Sequence, residues 1–224
     1  MKWNTYSNAV SQRETRRTIF SSELINEAFS NIVLDIGCGS GAVLSRANRN
    51  TQKVGLEENI VQAKIARDNV NCPIVVANAT MLPFITNTVG VIALFEVLEH
   101  IPSSDHETLS KEIHRVLSAQ GRIVMSVPYN NLLSKLFDPA WYFGHQHFSR
   151  SQIAQWLIGG SLYPTRIFTR AGKWEILSMI NLYVCKHIFG KDMLFRQFFE
   201  GKRGHEFDTV QNGYMNLFAV GIKH

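Results

Sequence analysis

Short runs of apolar, largely β-branched residues alternate along the chain with stretches whose apolar positions recur every three or four residues. The runs are "IVLDI" (32–36), "TQKVGLE" (51–57), "PIVVAN" (73–78), "VGVIALFE" (89–96), "RIVMSV" (122–127), "LYPTRIFTR" (162–170) and "YMNLFAVGIK" (214–223). Several are nearly continuous, as in strands covered on both faces. Helical spacing is read over 41–48, over 59–70 (Ile60, Ala63, Ala66, Val70), through Leu109, Ile113, Val116 and Leu117, and through Ile153, Trp156 and Leu157. Ser104–Glu107 and Ser149–Gln152 have the spacing of capping boxes. Gly121 is read as a break before the fifth strand and Gly159-Gly160 as a helix stop. The alternation predicts an α/β fold, a doubly wound parallel sheet with ligands beyond the carboxyl ends of its strands. A leading helical segment occupies 1–30 and the main domain 31–224. Residues 128–148 and 171–212 break the alternation, and both follow strands, so either could wall or cover the same edge.

Composition narrows this only a little. The 224 residues are 45% hydrophobic and 18% charged, an ordinary globular balance. Apolar runs stop well short of the roughly 18–20 residues that span a bilayer. The opening "MKWNTYSNAVSQRETRR" has no apolar block, so no secretory leader is expected. Cys38, Cys72 and Cys185 are scattered without a CxxC pair, which favours reduced thiols and a cytoplasmic location. The net charge of +5 is spread out, apart from Arg13, Arg16, Arg17 and Lys202-Arg203. A solvated basic surface is the simplest account. No basic-aromatic stripe marks nucleic acid as a partner.

Candidate chemistry gathers at strand ends. Gly37, Gly39 and Gly41 follow the first strand, where glycine lets backbone N–H groups approach a ligand. The spacing is G-x-G-x-G, not the G-x-G-x-x-G of dinucleotide sites, and no phosphate loop is present. Asp35 would repel a pyrophosphate and suit a ligand with cationic or donor groups. Glu57 ends the second strand, where a carboxylate can accept from both ribose hydroxyls. Asn78 follows the third strand and could pair with a base edge. "EVLEH" closes the fourth. An oxidoreductase would also use Glu57, so a nicotinamide cofactor is the alternative at this turn.

In this order and spacing, "LDIGCGSG", "VGLEENI", "VANATMLPF" and "LFEVLEHI" resemble the class I S-adenosylmethionine-dependent methyltransferases, over residues 31 to about 160. "EVLEHI" and "GRIVMSVPYNN" resemble the subgroup acting on small molecules, quinols and lipid-linked or sugar acceptors. The resemblance implies a Rossmann-like, mostly parallel seven-stranded sheet, its last strand antiparallel and preceded by a helical insertion. It implies S-adenosyl-L-methionine as cofactor. Asp35, Gly37, Gly39 and Gly41 would cradle the methionine end, with Cys38 as a small packing residue in the turn. Glu57 would hold the ribose. Asn78, where the family usually has Asp, would meet the adenine amine; Ala79 and Leu82 would line the ring; Glu96 would lie near the sulfonium.

Methyl transfer needs a positioned acceptor and, for a hydroxyl or amine, a base. Glu99, His100, His145 and His147 are the candidates, with Tyr129 near them. If the chain turns helical after Glu96, then Glu96, Glu99 and His100 share one face and could hold a divalent ion, as such a motif does in some quinol and small-RNA methyltransferases. "EVLEH" also serves metal-free members by capping the next turn, and no metal is assigned. The aromatic-rich stretch 174–199 is read as a helical subdomain, with Trp174, Leu177, Ile180, Tyr183 and Val184 on one stripe. A lid over an apolar acceptor, a dimer face and a peripheral membrane contact are the other readings. The expectation is O-methylation, or N-methylation, of a small or lipid-like acceptor. The alternatives are a metal-dependent RNA 2′-O-methyltransferase and a non-catalytic cofactor-binding or partner module.

Overall fold

A computed structural model describes residues 16–224 apart from 29, 31, 49, 138–140, 142–143 and 211. The first half of the expected leading segment, residues 1–15, lies outside the described residues. In chain order the elements are α1 (Arg16–Glu27), β1 (Ile32–Ile36), β2 (Gln52–Leu56), α2 (Ile60–Asn69), β3 (Ile74–Val75), β4 (Val89–Phe95), α3 (His106–Val116), β5 (Leu117–Pro128), α4 (Leu132–Phe137), α5 (Arg150–Gly159), β6 (Leu162–Arg170), α6 (Lys173–His187), α7 (Arg196–Thr209) and β7 (Asn216–Lys223).

The strands form one sheet in the order β3-β2-β1-β4-β5-β7-β6. β1, β2, β3, β4 and β5 run parallel, and β7 lies antiparallel between β5 and β6. This is the Rossmann-like, mostly parallel arrangement with a reversed last strand. Alternate residues of each central strand point to opposite faces. Leu34, Ile92, Ile123 and Leu217 join one core with Leu109, Ile113, Ile153 and Leu157 of α3 and α5. Val33, Val91, Val124 and Phe218 join the other with Leu24, Ile25, Ile176 and Phe207 of α1, α6 and α7. Burial on both faces is why these strands read as unbroken apolar runs. Phe20 meets Phe168, Phe207 and Phe218 edge-on, which seats α1 against the second face. The buried Lys223 ammonium donates to the carbonyls of His114 and Leu117 and to Asn87 Oδ1, fastening the end of β7 beneath α3.

Four local expectations are corrected. Residues 41–48 form successive turns rather than an α-helix. The Ser40 carbonyl accepts from Asn69 Nδ2 and the Ala42 carbonyl from Ser45 Oγ, so two helical acceptors are occupied by side chains. Ser104 does not cap α3: its hydroxyl donates to Asp105 Oδ1, and a 3₁₀ turn over Ser103–Asp105 precedes the helix. β3 stops at Val75, because Glu57 N→Val75 O is the last bond that β2 offers it. Gly121 lies within β5, which begins at Leu117 and shifts register against β4. The second capping box is formed in full, with Ser149 Oγ accepting from Gln152 N and Ser149 N donating to Gln152 Oε1.

Candidate functional site

The sheet reverses its winding between β1 and β4, and a cleft opens beyond their carboxyl ends. Its volume is about 590 Å³, within the range of small-molecule sites. Gly37, Glu57, Glu58, Asn78, Ala79, Glu96, Val97, His100, Ile101 and Asp105 are among the residues that line it. Four carboxylates against one imidazole make its walls suited to a cationic ligand.

The glycine turn meets the cleft at Gly37. Gly37 N and Cys38 N both donate to Leu56 O, which ties the turn to β2. All three glycines have positive φ. A Cβ on Gly37 would lie 2.4 Å from Val97 Cγ2, and one on Gly41 would lie 2.8 Å from Val70 Cγ1. A Cβ on Gly39 would meet nothing within 4 Å. Gly37 and Gly41 therefore answer to the protein's own packing, and Gly39 faces open space. Cys38 is buried with Leu44, Ala63, Ala66 and Ile74 behind the turn, where burial pushes its thiol up and out of reactive range.

Glu57 does more than the sequence suggests. Oε2 accepts from Gly39 N and Oε1 from Asn59 N, each at 2.9 Å, so its carboxylate straps the turn to the start of α2. Asp35 lies beneath, buried in β1. Burial, with Glu57 nearby, pushes its carboxyl up to about 8, so it is protonated at neutral pH rather than the expected carboxylate. Asn78 also departs from expectation. Its Oδ1 already accepts from Thr80 N and Thr80 Oγ1, and its Nδ2 donates to Glu58 Oε1. As placed, the amide has no acceptor capacity left for a base edge. Leu82 does not line the cleft but is buried in the first core.

The chain does not turn α-helical after Glu96. That residue has φ of 56°, and a 3₁₀ turn follows over Leu98–His100. The expected shared face of Glu96, Glu99 and His100 is therefore not formed. Glu96 instead accepts from Ser126 Oγ at 2.7 Å and pairs with Arg17 of α1 at 2.9 Å. Glu99 is buried behind the cleft, and His145 takes the place expected for Glu96. His145 Nε2 lies 3.9 Å from Glu99 Oε1 and 3.4 Å from His100 Nε2. Gln146 holds this loop in place, donating to Ile101 O and accepting from Ser103 Oγ. One ligand atom from each of Glu99, His100 and His145 falls within 4.8 Å of the others. His147 is not part of this group: it is buried, with Nδ1 near Ser134 Oγ and Tyr129 O. Arg17 was not among the sequence candidates, since only the packing of α1 brings it to the cleft.

Residues 34–125 match the model of a methyltransferase domain. Two uncharacterized proteins of Methanocaldococcus jannaschii are similar, one 34% identical over 130 residues (58% of this chain and 46% of the relative), the other 29% identical over 128 residues (52% and 54%). The chain spans about half the length of each. Among solved structures, a Haloferax volcanii complex of the Trm112 methyltransferase activator with a methyltransferase superposes with a TM-score of 0.70, at 18% identity, covering 99% of this chain and 95% of the other. Geranyl diphosphate C-methyltransferase from Streptomyces coelicolor, in complex with Mg²⁺, geranyl diphosphate and S-adenosyl-L-homocysteine, gives 0.65 at 15% identity, covering 92% and 77%. A Methanosarcina mazei methyltransferase gives 0.63 at 15%, covering 89% and 96%. The matched segment carries the glycine turn, Glu57, Asn78 and Glu96 on the strands that bound the cleft. Over residues 34–125 the chain is similar to a methyltransferase domain, and it shares its fold with these methyltransferase structures.

Proposed function

We propose that the chain transfers a methyl group to a hydroxyl, or less readily an amine, of a small or lipid-like acceptor. The observation that carries this is the placement of His100, close to His145 and with Glu99 behind, on the wall of the acidic cleft that Gly37 also lines. S-adenosylmethionine supplies the electrophilic methyl when bound. The residues fit that cofactor: the turn leaves open space at Gly39, and the acidic walls suit a molecule with sulfonium and ammonium charges. Gly39 would leave room for the amino-acid end, Gly37 and Gly41 would shape the turn around it, and Glu57 would hold the ribose diol. Ala79 would lie along the ring. Asp35 would support the turn from below rather than touch the ligand, and Asn78 would contribute through the Glu58–Asn78–Thr80 chain that shapes the wall. His100 would take the acceptor's proton, and the single positive charge so formed, beside neutral His145, would be stabilised by Glu99.

Calorimetry with S-adenosylhomocysteine and radiolabelled methyl transfer into cell extract test this together. Binding and labelling by wild type are expected. His100→Gln should keep the binding and lower transfer by about 10²–10⁴-fold, the usual worth of a positioned base. Absence of binding would refute the cofactor role, and unchanged transfer by His100→Gln would remove the base. Binding without transfer to any acceptor would favour a non-catalytic module.

The clustering of Glu99, His100 and His145 favours a second reading, a metal-dependent RNA 2′-O-methyltransferase. Their two imidazoles and one carboxylate suit a borderline divalent ion. Retention on RNA at low salt, with methyl transfer abolished by a chelator and restored by Mn²⁺ or Zn²⁺, is the result this reading requires. Transfer that persists in chelator refutes it.

A further inference from the structure

The apolar stripe of α6 does not face the core. The helix buries Ile176, Ser178 and Cys185, while Leu177, Ile180 and Val184 are exposed. The exposed series continues beyond the helix through Ile188 (71% exposed) and Phe189 (58%), and the start of α7 adds Phe195 (77%) and Phe198 (52%). The connection is not a stray loop. Asn181 Nδ2 donates to Leu194 O, and Lys191 N donates to Cys185 O, so it folds back on the end of α6. A second element, α4, also exposes apolar residues, Leu132 and Leu136.

Both elements are rooted at one edge of the sheet. β5 leads toward α4 and β6 toward α6, and their last residues, Pro128 and Arg170, each register with Asn216 of β7. That edge is the one from which Gly37, Glu57 and Glu96 project. The roots of both elements and the cleft therefore share an edge.

The charge around the tip is positive. Between residues 184 and 202 stand Lys186, Lys191, Arg196 and Lys202 against Asp192 and Glu200; Arg196 and Asp192 pair with each other at 4.0 Å, which leaves the three lysines against Glu200. Other carboxylates of the hairpin are turned to internal partners: Glu175 pairs with Arg203, and Glu206 accepts from Gly172 N and Trp174 N. Lys202 Nζ lies 5.8 Å from the Trp174 and Phe198 ring centres, and Lys135 lies 6.0 Å from that of Trp141. Cations thus sit beside the exposed rings. Among the described residues no helix is long and apolar enough to cross a membrane.

We propose that the tip of the α6–α7 hairpin forms a docking face for an anionic membrane surface. Apolar side chains at the tip enter the headgroup–acyl boundary and the lysines meet lipid phosphates. Charge complementarity selects this occupant over a second copy, which would bring the same lysines against one another. The docking stands on the surface alone; its corollary, that the acceptor is drawn from the bilayer, rests on the methyl-transfer reading above.

The test is flotation of the whole chain with vesicles of phosphatidylglycerol mixed with phosphatidylcholine, and with pure phosphatidylcholine. Binding to the anionic vesicles, lost on pure phosphatidylcholine and weakened by salt, is expected. Lys191→Gln with Lys202→Gln should weaken it about 25-fold, at about fivefold per lysine. Phe189→Ser with Phe195→Ser should weaken it about tenfold or more, with the circular dichroism spectrum and S-adenosylhomocysteine affinity unchanged. No binding by wild type, or equal binding by the serine variant, overturns the proposal. So does a dimer in sedimentation that the serine variant converts to monomer. Vesicle binding without S-adenosylhomocysteine binding would refute the methyl-transfer reading alone; the reverse result would refute the docking alone.

Discussion

Adding one methyl group at Gly39 separates the two demands on the glycine turn. Gly37 and Gly41 are hemmed in by Val97 and Val70, whereas a Cβ on Gly39 projects into open space. Gly39→Ala should therefore cost the fold only the left-handed backbone, φ 53°, about 1–2 kcal/mol for an L-residue. At about 2–4 °C per kcal/mol in a chain of this size, Tm should fall by about 2–8 °C. Gly37→Ala carries the same backbone term plus a methyl 2.4 Å from Val97 Cγ2, worth about 1–3 kcal/mol more as overpacking. Its Tm should fall further, and Val97→Ala in the same chain should restore part of the loss. Ligand affinity should rank differently. If the cofactor's amino-acid end lies against Gly39, the added methyl acts as overpacking in the complex, and about 1–3 kcal/mol there is about 5- to 150-fold in Kd. Thermal unfolding by circular dichroism and calorimetry with S-adenosylhomocysteine read the two quantities separately. Wild-type affinity in a folded Gly39→Ala protein would refute the cradle. A larger stability loss at Gly39 than at Gly37 would refute the packing argument.

Three further outcomes are expected. Asp35 holds its proton up to about pH 8 when folded and releases it near the ordinary value of 3.8 when unfolded. Its contribution to stability is therefore full below that lower value and fades as pH rises toward 8, with a slope approaching about 1.4 kcal/mol per pH unit. Urea midpoints across this window should show the decline, and Asp35→Asn should flatten it; parallel profiles would count against the buried acid. Glu57→Gln removes charge from bonds to Gly39 N and Asn59 N and from any ribose contact, so S-adenosylhomocysteine affinity should fall about 10- to 100-fold, from about 1.5–3 kcal/mol per charged hydrogen bond. Glu206→Ala leaves Gly172 N and Trp174 N without their carboxylate, and at about 1–3 kcal/mol for each buried group left unsatisfied the Tm should fall by several degrees. Hydrogen exchange should quicken first at the start of α6.

Much of the fold was legible because burial on two faces writes itself into composition. β1, β4 and β6 match their apolar runs closely, and Gln152 three residues after Ser149 announced its capping box. The failures share a cause in contacts that periodicity cannot contain. Asn69, far along the chain, takes the carbonyl of Ser40 and helps to dissolve the helix expected over 41–48. The stripe of α6 was correctly spaced, but spacing does not say which side meets the sheet, and Ile176 and Cys185 won the buried positions. Within the cleft, strand-end logic located Gly37, Glu57, Asn78, Ala79 and Glu96. It misplaced the grouping of "EVLEH" because that grouping required a helix, and the positive φ of Glu96 forbids one. Arg17 arrives from 79 residues away and carries no local signal, whereas His145, 45 residues from His100, was already marked by the paired histidines of "FGHQHFS".

Arg170 and Asn216 are partners across the β6–β7 ladder, so the whole excursion between them leaves and returns at one point of the sheet. Topologically it is an overgrown hairpin loop. Its inner part is committed, since Ile176 and Phe207 pack into the second core. Its tip is fastened to the end of α6 rather than to the sheet, and the closure entropy of a loop grows only slowly with its length. Residues can therefore be added, deleted or exchanged near 188–195 with little effect on the strands that carry Gly37, Glu57 and Glu96. Descendants of this chain are free to change what the tip touches while inheriting the cleft intact.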